Sequence, residues 1–310
     1  MVDSVSKILF HLVAQSRTLK KLASRYGMRR PSSFARRFIA GETVADAIPA
    51  ARAVEARGML ISLDRLGESV ETLAAADAAT RCYLDVIDAI IASGIERNIS
   101  LKLTQLGLDV DKASAVDNLR KILERATAAG FFVRIDMESS EYTDVTLEIF
   151  ETLWGHGYRQ MGVVLQSALL RSEQDLARIN ALGARVRLVK GAYKEPKTVA
   201  YPRKADVDAA YARILRVLMA EGHYPAIATH DPAMIELARA QNLAPDRFEF
   251  QMLYGVRRDL QTRLVNAGYR VRVYIPFGRQ WFPYFMRRLG ERPANIGFVI
   301  GSIIGEDRRR

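Results

Sequence analysis

From residue 58 onward the chain alternates short β-rich runs with helical stretches, and this alternation limits the folds that it can adopt. Strands that alternate with helices form right-handed βαβ units around a parallel sheet. Eight such units in about 250 residues are typical of a closed (β/α)8 barrel. The predicted strands are Met59–Asp64, Ile99–Thr104, Phe131–Asp136, Gly162–Gln166, Ala184–Lys190, Ala226–Thr229, Phe248–Leu253 and Arg270–Ile275.

The alternative fold is an open, doubly wound sheet, which usually carries a glycine-rich phosphate loop after its first strand. Here the first predicted strand runs into Arg65-Leu66-Gly67, and neither G-x-G-x-x-G nor a P-loop pattern occurs. We therefore predict an α/β protein with a (β/α)8 barrel over residues 58–310 and an N-terminal helical extension over residues 1–57. Pro31 and Pro49 are expected to interrupt the helices of that extension. Helix-ending glycines before strands are expected at Gly58, Gly130, Gly183 and Gly268.

Positive charge is concentrated at the start of the chain. The net charge is +11, and the first forty residues hold nine Lys and Arg against one Asp. Such a segment can attract an anionic membrane surface or nucleic acid, or it can be an ordinary solvated helical face. Aromatic residues are sparse among these forty, which argues against a platform for stacking single-stranded nucleic acid.

Cysteine and histidine usage restricts the chemistry. The single cysteine, Cys82, excludes an intramolecular disulfide framework and a cysteine-clustered metal site, and it fits a reducing cytoplasm. The four histidines show no metal-ligand spacing, so no metal is expected. The apolar run Ile8–Ala14 is too short to span a bilayer. A cytoplasmic location is therefore expected, with peripheral contact between residues 1–40 and the inner face of the cell membrane left open.

Polar side chains lie at the carboxyl ends of the predicted strands, where barrel enzymes build their active sites. Charged groups inside a barrel are costly unless they are paired or bind a ligand. A structural ion pair between Lys102 and Asp136 is the alternative for those two residues, but convergence from six strands predicts a site. The residues concerned are Lys102, Asp136, Gln166, Arg187, Lys190, Tyr193, Thr229, His230, Asp231 and Tyr274.

The helix predicted after the eighth strand carries a second polar group. Tyr284, Arg287, Arg288 and Glu291 follow one another at helical spacing and share one face, and Pro283 suits the first turn. Two guanidinium groups near a tyrosine hydroxyl can bind a carboxylate in a bidentate manner. The alternative is a surface salt-bridge ladder. Together with a lysine and an acid nearby, the group favours a small zwitterion such as an amino acid.

No nucleophile–base pair or paired glycosidase-type carboxylates stand out in the sequence. Hydride or electron chemistry would then depend on a cofactor that the barrel positions. Arg187, Lys190, the small pair Gly191-Ala192 and the pair Thr229-His230 permit a phosphorylated flavin, although these residues alone do not require one.

Six segments, in order along the chain, resemble the proline dehydrogenase family, and the pattern Tyr284-x-x-Arg287-Arg288-x-x-Glu291 is the most specific. The resemblance implies oxidation of L-proline to Δ1-pyrroline-5-carboxylate, the first step of proline degradation to glutamate. It also implies hydride transfer to FAD N5, reoxidation by a membrane quinone and a separate pyrroline-5-carboxylate dehydrogenase. The segments are Ser100–Leu103, Arg134–Glu138, Arg187–Tyr193, Ala228–Asp231, Phe248–Gly255 and Tyr274–Asn295.

The resemblance also implies residue roles. The catalytic residues would be Asp136, Arg187 and Tyr193. The substrate contacts would be Lys102, Leu253, Tyr274, Tyr284, Arg287, Arg288 and Glu291. The flavin contacts would be Met137, Gln166, Arg187, Lys190, Gly191, Ala192, Thr229 and His230. Within these sets, Arg287 and Arg288 would bind the proline carboxylate.

Two other functions stay open at this point. The first is flavin-dependent oxidation of another cyclic imino acid, such as hydroxyproline, and the residues do not separate FAD from FMN. The second is a basic, non-enzymatic protein that binds nucleic acid through residues 1–40, which predicts a salt-dependent affinity and no bound chromophore. The motifs favour the enzyme, and no nucleic-acid partner is expected.

Overall fold

The computed structural model describes residues 34–290, in which eight parallel strands close into a barrel in sequence order. Because β8 pairs with β1 over six residues, the sheet has no free edge. The predicted (β/α)8 barrel is confirmed, and each of the eight predicted runs contains a strand. The strands are β1 Leu60–Arg65, β2 Asn98–Leu101, β3 Phe132–Ile135, β4 Met161–Gln166, β5 Arg185–Val189, β6 Ala226–Ala228, β7 Glu249–Leu253 and β8 Val271–Phe277.

Helices cover the outside of the barrel. Within residues 34–290, three short 3-10 helices occur at Phe34–Arg37, Thr104–Leu106 and Ser140–Tyr142. The predicted extension over residues 1–57 is described only from Phe34, and its division from the barrel at residue 57 stays a prediction. The α-helices are α1 Val44–Glu55, α2 Leu73–Ser93, α3 Lys112–Ala128, α4 Thr143–Gly155, α5 Ser172–Ala181, α6 Lys204–Glu221, α7 Pro232–Arg239, α8 Arg258–Asn266 and α9 Trp281–Gly290.

Local sequence explains where several helices begin and end. Thr43 and Asp46 form a reciprocal capping box at the start of α1. The four glycines predicted to end helices all adopt a positive φ of 69° to 85°, a backbone conformation that side chains disfavour. Their role as helix-ending residues is confirmed.

The prediction that Pro49 interrupts a helix is wrong, because Pro49 lies inside α1. A proline at the sixth helical position removes a single intrahelical hydrogen bond. Packing outweighs that loss, since Ala47, Ala51 and Val54 of α1 are buried in the main core. Pro31 lies outside the described residues.

One strand ends earlier than predicted. β2 stops at Leu101, and Thr104 begins a 3-10 turn whose first amide donates to the buried Glu138 carboxylate at 3.2 Å. Lys102 therefore lies just beyond the end of β2, at the mouth of the barrel.

The two faces of the sheet differ in chemistry. Ile61, Leu63 and other outward-pointing strand residues form the main apolar core with the helices. The amino-terminal half of the barrel interior holds a buried ion cluster instead of apolar layers. Arg272 donates to Glu249 at 2.7 and 3.0 Å and to Glu96 at 2.7 Å. These mutual bonds offset the cost of removing the charges from water.

This cluster predicts a loss of stability in acid. Burial raises the pKa of Glu249, but the charge and hydrogen bonds of Arg272 outweigh it and hold the pKa below its ordinary value of 4.5. The ionised form stabilises the fold above that value, and this contribution is lost as the pH falls through the lowered pKa. We expect Glu249→Gln to weaken the pH dependence of the unfolding free energy below about pH 5. Urea unfolding of both proteins at a series of pH values measures this pH dependence. If the unfolding free energy of the variant falls in acid as steeply as that of the unaltered protein, the role of Glu249 is contradicted.

No helix within residues 34–290 is long and apolar enough to cross a bilayer.

Candidate active site

Arg187 is the centre of a hydrogen-bond network at the carboxyl end of the barrel. Its guanidinium donates to the Asp136 carboxylate at 2.6 Å, to the Gln251 side-chain oxygen at 2.5 Å and to the Ser100 hydroxyl at 3.1 Å. These partners come from β2, the end of β3 and β7, so one buried side chain on β5 connects four strands. Five planar donors suit arginine to this task.

Asp136 joins this network to Tyr274 and Lys102. The Tyr274 hydroxyl donates to the second Asp136 oxygen at 2.8 Å, and the Arg187 guanidinium lies 5.3 Å from the centre of the Tyr274 ring. Burial and the Asp136 charge raise the pKa of Tyr274 well above its ordinary value of 10.0, so the hydroxyl stays a neutral donor. The predicted catalytic residues Asp136 and Arg187 are therefore in direct contact.

Lys102 lies between two carboxylates. Its ammonium nitrogen is 3.7 Å from an oxygen of Asp136 and 3.7 Å from an oxygen of Asp64, which lies near the carboxyl end of β1. Burial lowers the pKa of Lys102, but the two carboxylates outweigh it, and the pKa lies above its ordinary value of 10.5. The ion pair between Lys102 and Asp136, given in the sequence as an alternative, is present.

Asp64 was not predicted as a site residue. Its side chain is fully buried, and within residues 34–290 neither carboxylate oxygen accepts a hydrogen bond. Burial raises its pKa against the opposing charge of Lys102. The sequence did contain a signal, because Asp64 ends an apolar strand in the same way as Asp136 does.

Helix α9 brings the predicted tyrosine–arginine group to the same end of the barrel. Arg287 donates to Glu68 in the loop after β1 at 3.2 Å, and the Arg288 guanidinium lies 5.2 Å from the centre of the Tyr284 ring. Glu68 is a further residue that the sequence did not single out, because it stands in a loop without a motif. Glu291, the last member of the predicted group, lies outside the described residues.

Tyr193 lies in the loop after β5 and is subject to charges from both groups. The charges that act on its hydroxyl include those of Lys102, Glu68 and Arg287. Burial is the largest cause of its shift and, with the acidic neighbours, raises the pKa of Tyr193 to about 12. Tyr193 thus carries a neutral hydroxyl that is subject to charges from both the barrel mouth and α9.

Three residues predicted to contact a flavin lie next to this network on the same rim. They are Gln166 at the end of β4 and the pair Gly191-Ala192 after β5, and they are called the shelf below. The Gln166 amide donates to the Glu138 carbonyl oxygen at 2.8 Å. Gly191 has a φ of +116°, and a side chain there would begin 3.2 Å from the Gln166 side-chain oxygen. Met137 is buried beside this shelf. The small residues after β5 therefore leave room above an oriented amide.

Two more predicted contacts lie after β6. The His230 Nε2 atom accepts a hydrogen bond from the Leu253 amide at 3.0 Å, and the Thr229 hydroxyl accepts one from the Asp231 amide at 3.0 Å. His230 therefore connects the end of β6 to the predicted substrate contact Leu253 on β7. Its ring nitrogen acts here as an acceptor, which implies a proton on the other nitrogen.

Lys190 is more constrained than expected. Its ammonium group donates to Asp208 at 2.5 Å and to Asp231 at 2.6 Å. Two carboxylates balance the single positive charge, so Lys190 lies on the predicted rim but its charge is already compensated.

The shelf fits a flavin on chemical grounds. Gly191, with a positive φ and close to Gln166, is open to a flat ligand, and Ala192 beside it is exposed. Arg187 and Gln166 supply hydrogen-bond donors. The set provides an amide, a guanidinium and small residues rather than ligands for a metal.

These features define a (β/α)8 barrel whose carboxyl-end site combines paired acids, cationic side chains and aromatic rings suited to a small anionic ligand. The family model described as proline dehydrogenase matches residues 47–300. Proline dehydrogenase 2 of Bacillus subtilis (strain 168) is 41% identical over 299 residues, which cover 95% of this chain and 97% of that protein. The proline dehydrogenase of Deinococcus radiodurans is 41% identical over 312 residues, covering 98% and 99%. The chain belongs to the proline dehydrogenase family.

Solved structures agree with this assignment. Proline utilization A (PutA) from Bdellovibrio bacteriovorus inactivated by N-propargylglycine superimposes with a TM-score of 0.77 at 28% identity, over 86% of this chain and 33% of that one. A PutA with proline bound in remote sites gives a TM-score of 0.71 at 27% identity, over 84% and 31%. The chain thus spans about a third of these larger proteins, and nearly the whole of its bacterial proline dehydrogenase relatives. The predicted resemblance is confirmed.

Proposed function

We propose that this chain oxidises L-proline to Δ1-pyrroline-5-carboxylate, the first step of proline degradation to glutamate, with FAD as the hydride acceptor and a membrane quinone as the final electron acceptor. The observation that carries the proposal is the hydrogen-bonded and ion-paired group of Lys102, Asp136, Arg187 and Tyr274 at the carboxyl end of the barrel, in a member of the proline dehydrogenase family. The product would pass to a separate pyrroline-5-carboxylate dehydrogenase.

The cationic residues at the mouth would bind the substrate carboxylate. Arg287 and Arg288 project from adjacent positions of α9, and Lys102, although paired with Asp64 and Asp136, adds an ammonium group at the mouth of the barrel. Glu68 is the counter-ion of Arg287 in this structure, so a carboxylate ligand would share or displace that contact. Tyr274 and Tyr284 offer aromatic faces for a five-membered ring.

The remaining side chains would prepare the substrate for oxidation. When bound, a flavin would supply the acceptor for the hydride that leaves the substrate ring carbon next to nitrogen. The amine must first lose a proton, because an ammonium group has no lone pair to form the C=N bond. Arg287 and Arg288 would favour the neutral amine, since like charges lower the pKa of a bound ammonium. Asp136, bonded to both Arg187 and Tyr274, holds these two groups in place.

This mechanism predicts a pH dependence that belongs to the substrate. The pKa of Tyr193 is raised to about 12, and the pKa values of Tyr274 and Lys102 lie above their ordinary values of 10.0 and 10.5. None of these three groups loses its proton at neutral or mildly alkaline pH. We therefore expect flavin reduction by proline to accelerate from about pH 6 to pH 10 as the amine deprotonates. Stopped-flow absorbance measures the rate.

Tyr193→Phe is the control for this prediction. The variant removes the hydroxyl but not the substrate amine, so the midpoint of the pH profile should stay where it is in the parent protein. A flat profile for the parent, or a midpoint that moves with Tyr193, contradicts the mechanism.

The function itself is tested by colour. The purified protein should be yellow, and excess L-proline without oxygen should bleach the flavin absorbance, which a quinone should then restore. Chromatography of the released flavin separates FAD from FMN. Faster bleaching by trans-4-hydroxyproline would favour the other imino acid. A colourless protein with salt-dependent affinity for DNA or RNA would replace the proposal with the nucleic-acid-binding alternative.

A further inference from the structure

The buried side chains of α9, among those that the structure describes, do not belong to the main core of the barrel. They belong to a second, smaller cluster, in which the helix supplies four residues and Leu66 lies in the loop after β1. The other contributors precede α1 in the chain. The members are Ala35, Phe38, Ile39, Leu66, Trp281, Tyr284, Phe285 and Met286. The helix that carries Arg287 and Arg288 is thus anchored in part by a distant stretch of sequence.

That stretch, Phe34–Gly41, is called the clamp segment below. Ile39 is fully buried, and the rings of Phe38 and Phe285 lie 6.5 Å apart between centres. A helix of ten residues has little stability of its own, so its position depends on such packing.

Backbone hydrogen bonds fix the end of the clamp segment next to α9. The Ala40 amide donates to the Pro276 carbonyl oxygen at 2.9 Å, and the Gly278 amide donates to the Gly41 carbonyl oxygen at 2.9 Å. Pro276 lies in β8, and Gly278 lies in the short connection between β8 and α9. The clamp segment therefore holds the point from which α9 departs.

Gly255 shows how closely the clamp segment passes the barrel. It has a φ of +74°, and a Cβ atom built there would lie 1.7 Å from the Arg37 carbonyl oxygen. That separation is far below any real contact, and the obstacle is backbone rather than a flexible side chain. Gly255 leaves the space in which the clamp segment runs between the loop after β7 and α9.

We propose that the clamp segment holds α9 in the orientation that binds the substrate carboxylate, which makes Phe38 and Gly255 positioning residues for Arg287 and Arg288. The inference rests on the proposed function, because it assumes that these arginines bind the carboxylate of proline. Paired guanidiniums bind a carboxylate well only when their geometry is fixed beforehand. Loosening the clamp segment should therefore weaken binding more than it slows chemistry.

The test compares two glycine substitutions. Gly255→Ala introduces a methyl group that meets the Arg37 carbonyl oxygen, whereas Gly183 has a similar φ of +69° with no atom within 4 Å of a new Cβ. Gly183→Ala thus reproduces the backbone strain without the collision. We expect Gly255→Ala to raise the KM for proline at least about tenfold over the Gly183→Ala control, with a smaller change in kcat and unchanged flavin content.

A second variant changes a residue of the clamp segment itself. Phe38→Ala removes a ring from the second cluster and leaves Gly255 unchanged. Trp281 in this cluster is buried, so in a Trp154→Phe background its fluorescence reports on the packing of α9. We expect Phe38→Ala to shift the Trp281 emission to longer wavelength and to raise KM. Because this variant introduces no clash, it also decides the matter if Gly255→Ala does not fold.

The outcomes separate the two proposals. The clamp role is overturned if KM in Gly255→Ala stays within the range of the Gly183→Ala control, or if Phe38→Ala leaves both KM and the Trp281 emission unchanged. If proline does not bleach the unaltered protein, the proposed function fails. The Trp281 emission then still shows whether the clamp segment holds α9.

Discussion

Arg187→Lys is expected to lower the rate of flavin reduction by proline by about 10²- to 10³-fold, the largest effect of any conservative change in this site. The substitution keeps the positive charge. It removes the planar group that donates to Asp136, Gln251 and Ser100 at once. A single ammonium nitrogen cannot span partners on three different strands, so the charge at the redox centre would lose its fixed position.

Arg185→Lys provides the matched control. Arg185 lies two positions earlier on β5, and its guanidinium contacts the rings of Phe132 and Tyr224 at 5.1 and 4.9 Å, away from the mouth. The control should keep kcat within about threefold, and both variants should keep their flavin. If Arg187→Lys also stays within that range, Arg187 contributes only charge, and its catalytic assignment is wrong.

The fold was accessible from sequence because the barrel repeats one local pattern eight times. Each β-rich run is bounded by helix-ending or turn residues, so the strands could be found individually. Lys102, Asp136, Arg187 and Tyr274 could be proposed because carboxyl ends of parallel strands converge on one face. That rule needs no knowledge of which strands are neighbours.

The ion-pair partners of the site residues could not be predicted from the sequence in the same way. Glu68 and Arg287 are 219 positions apart, and nothing in either segment indicates that they meet. The same holds for Lys190, whose two carboxylates come from α6 and from the loop after β6. Pairings of this kind depend on the closed geometry of the barrel and on where each loop is directed.

Gly255 shows a further limit. In the sequence it is an ordinary glycine after a strand, and its requirement for a missing side chain is set by a carbonyl oxygen more than two hundred positions away. Asp64 is a different case, because its place at the end of an apolar run already indicates a side chain at the mouth of the barrel. The sequence therefore identified most charged groups of the site, while their compensation and support required the structure.

The second large effect is expected on α9. Arg287→Lys or Arg288→Lys should raise the KM for proline about 10- to 100-fold while kcat at saturation changes little. Lysine keeps the charge but loses the forked, two-point grip on a carboxylate. A loss of binding that is equal in the ground state and the transition state appears in KM alone.

Arg279→Lys is the control for these two variants, since Arg279 is exposed and lies just before α9. Steady-state rates over a wide range of proline concentrations, with a water-soluble quinone as acceptor, separate KM from kcat. A fall in kcat at unchanged KM would place the arginines with the reacting atoms instead of the carboxylate. An unchanged KM in both variants would remove α9 from the binding site, because the charge retained by lysine would then be all that the substrate needs from this helix.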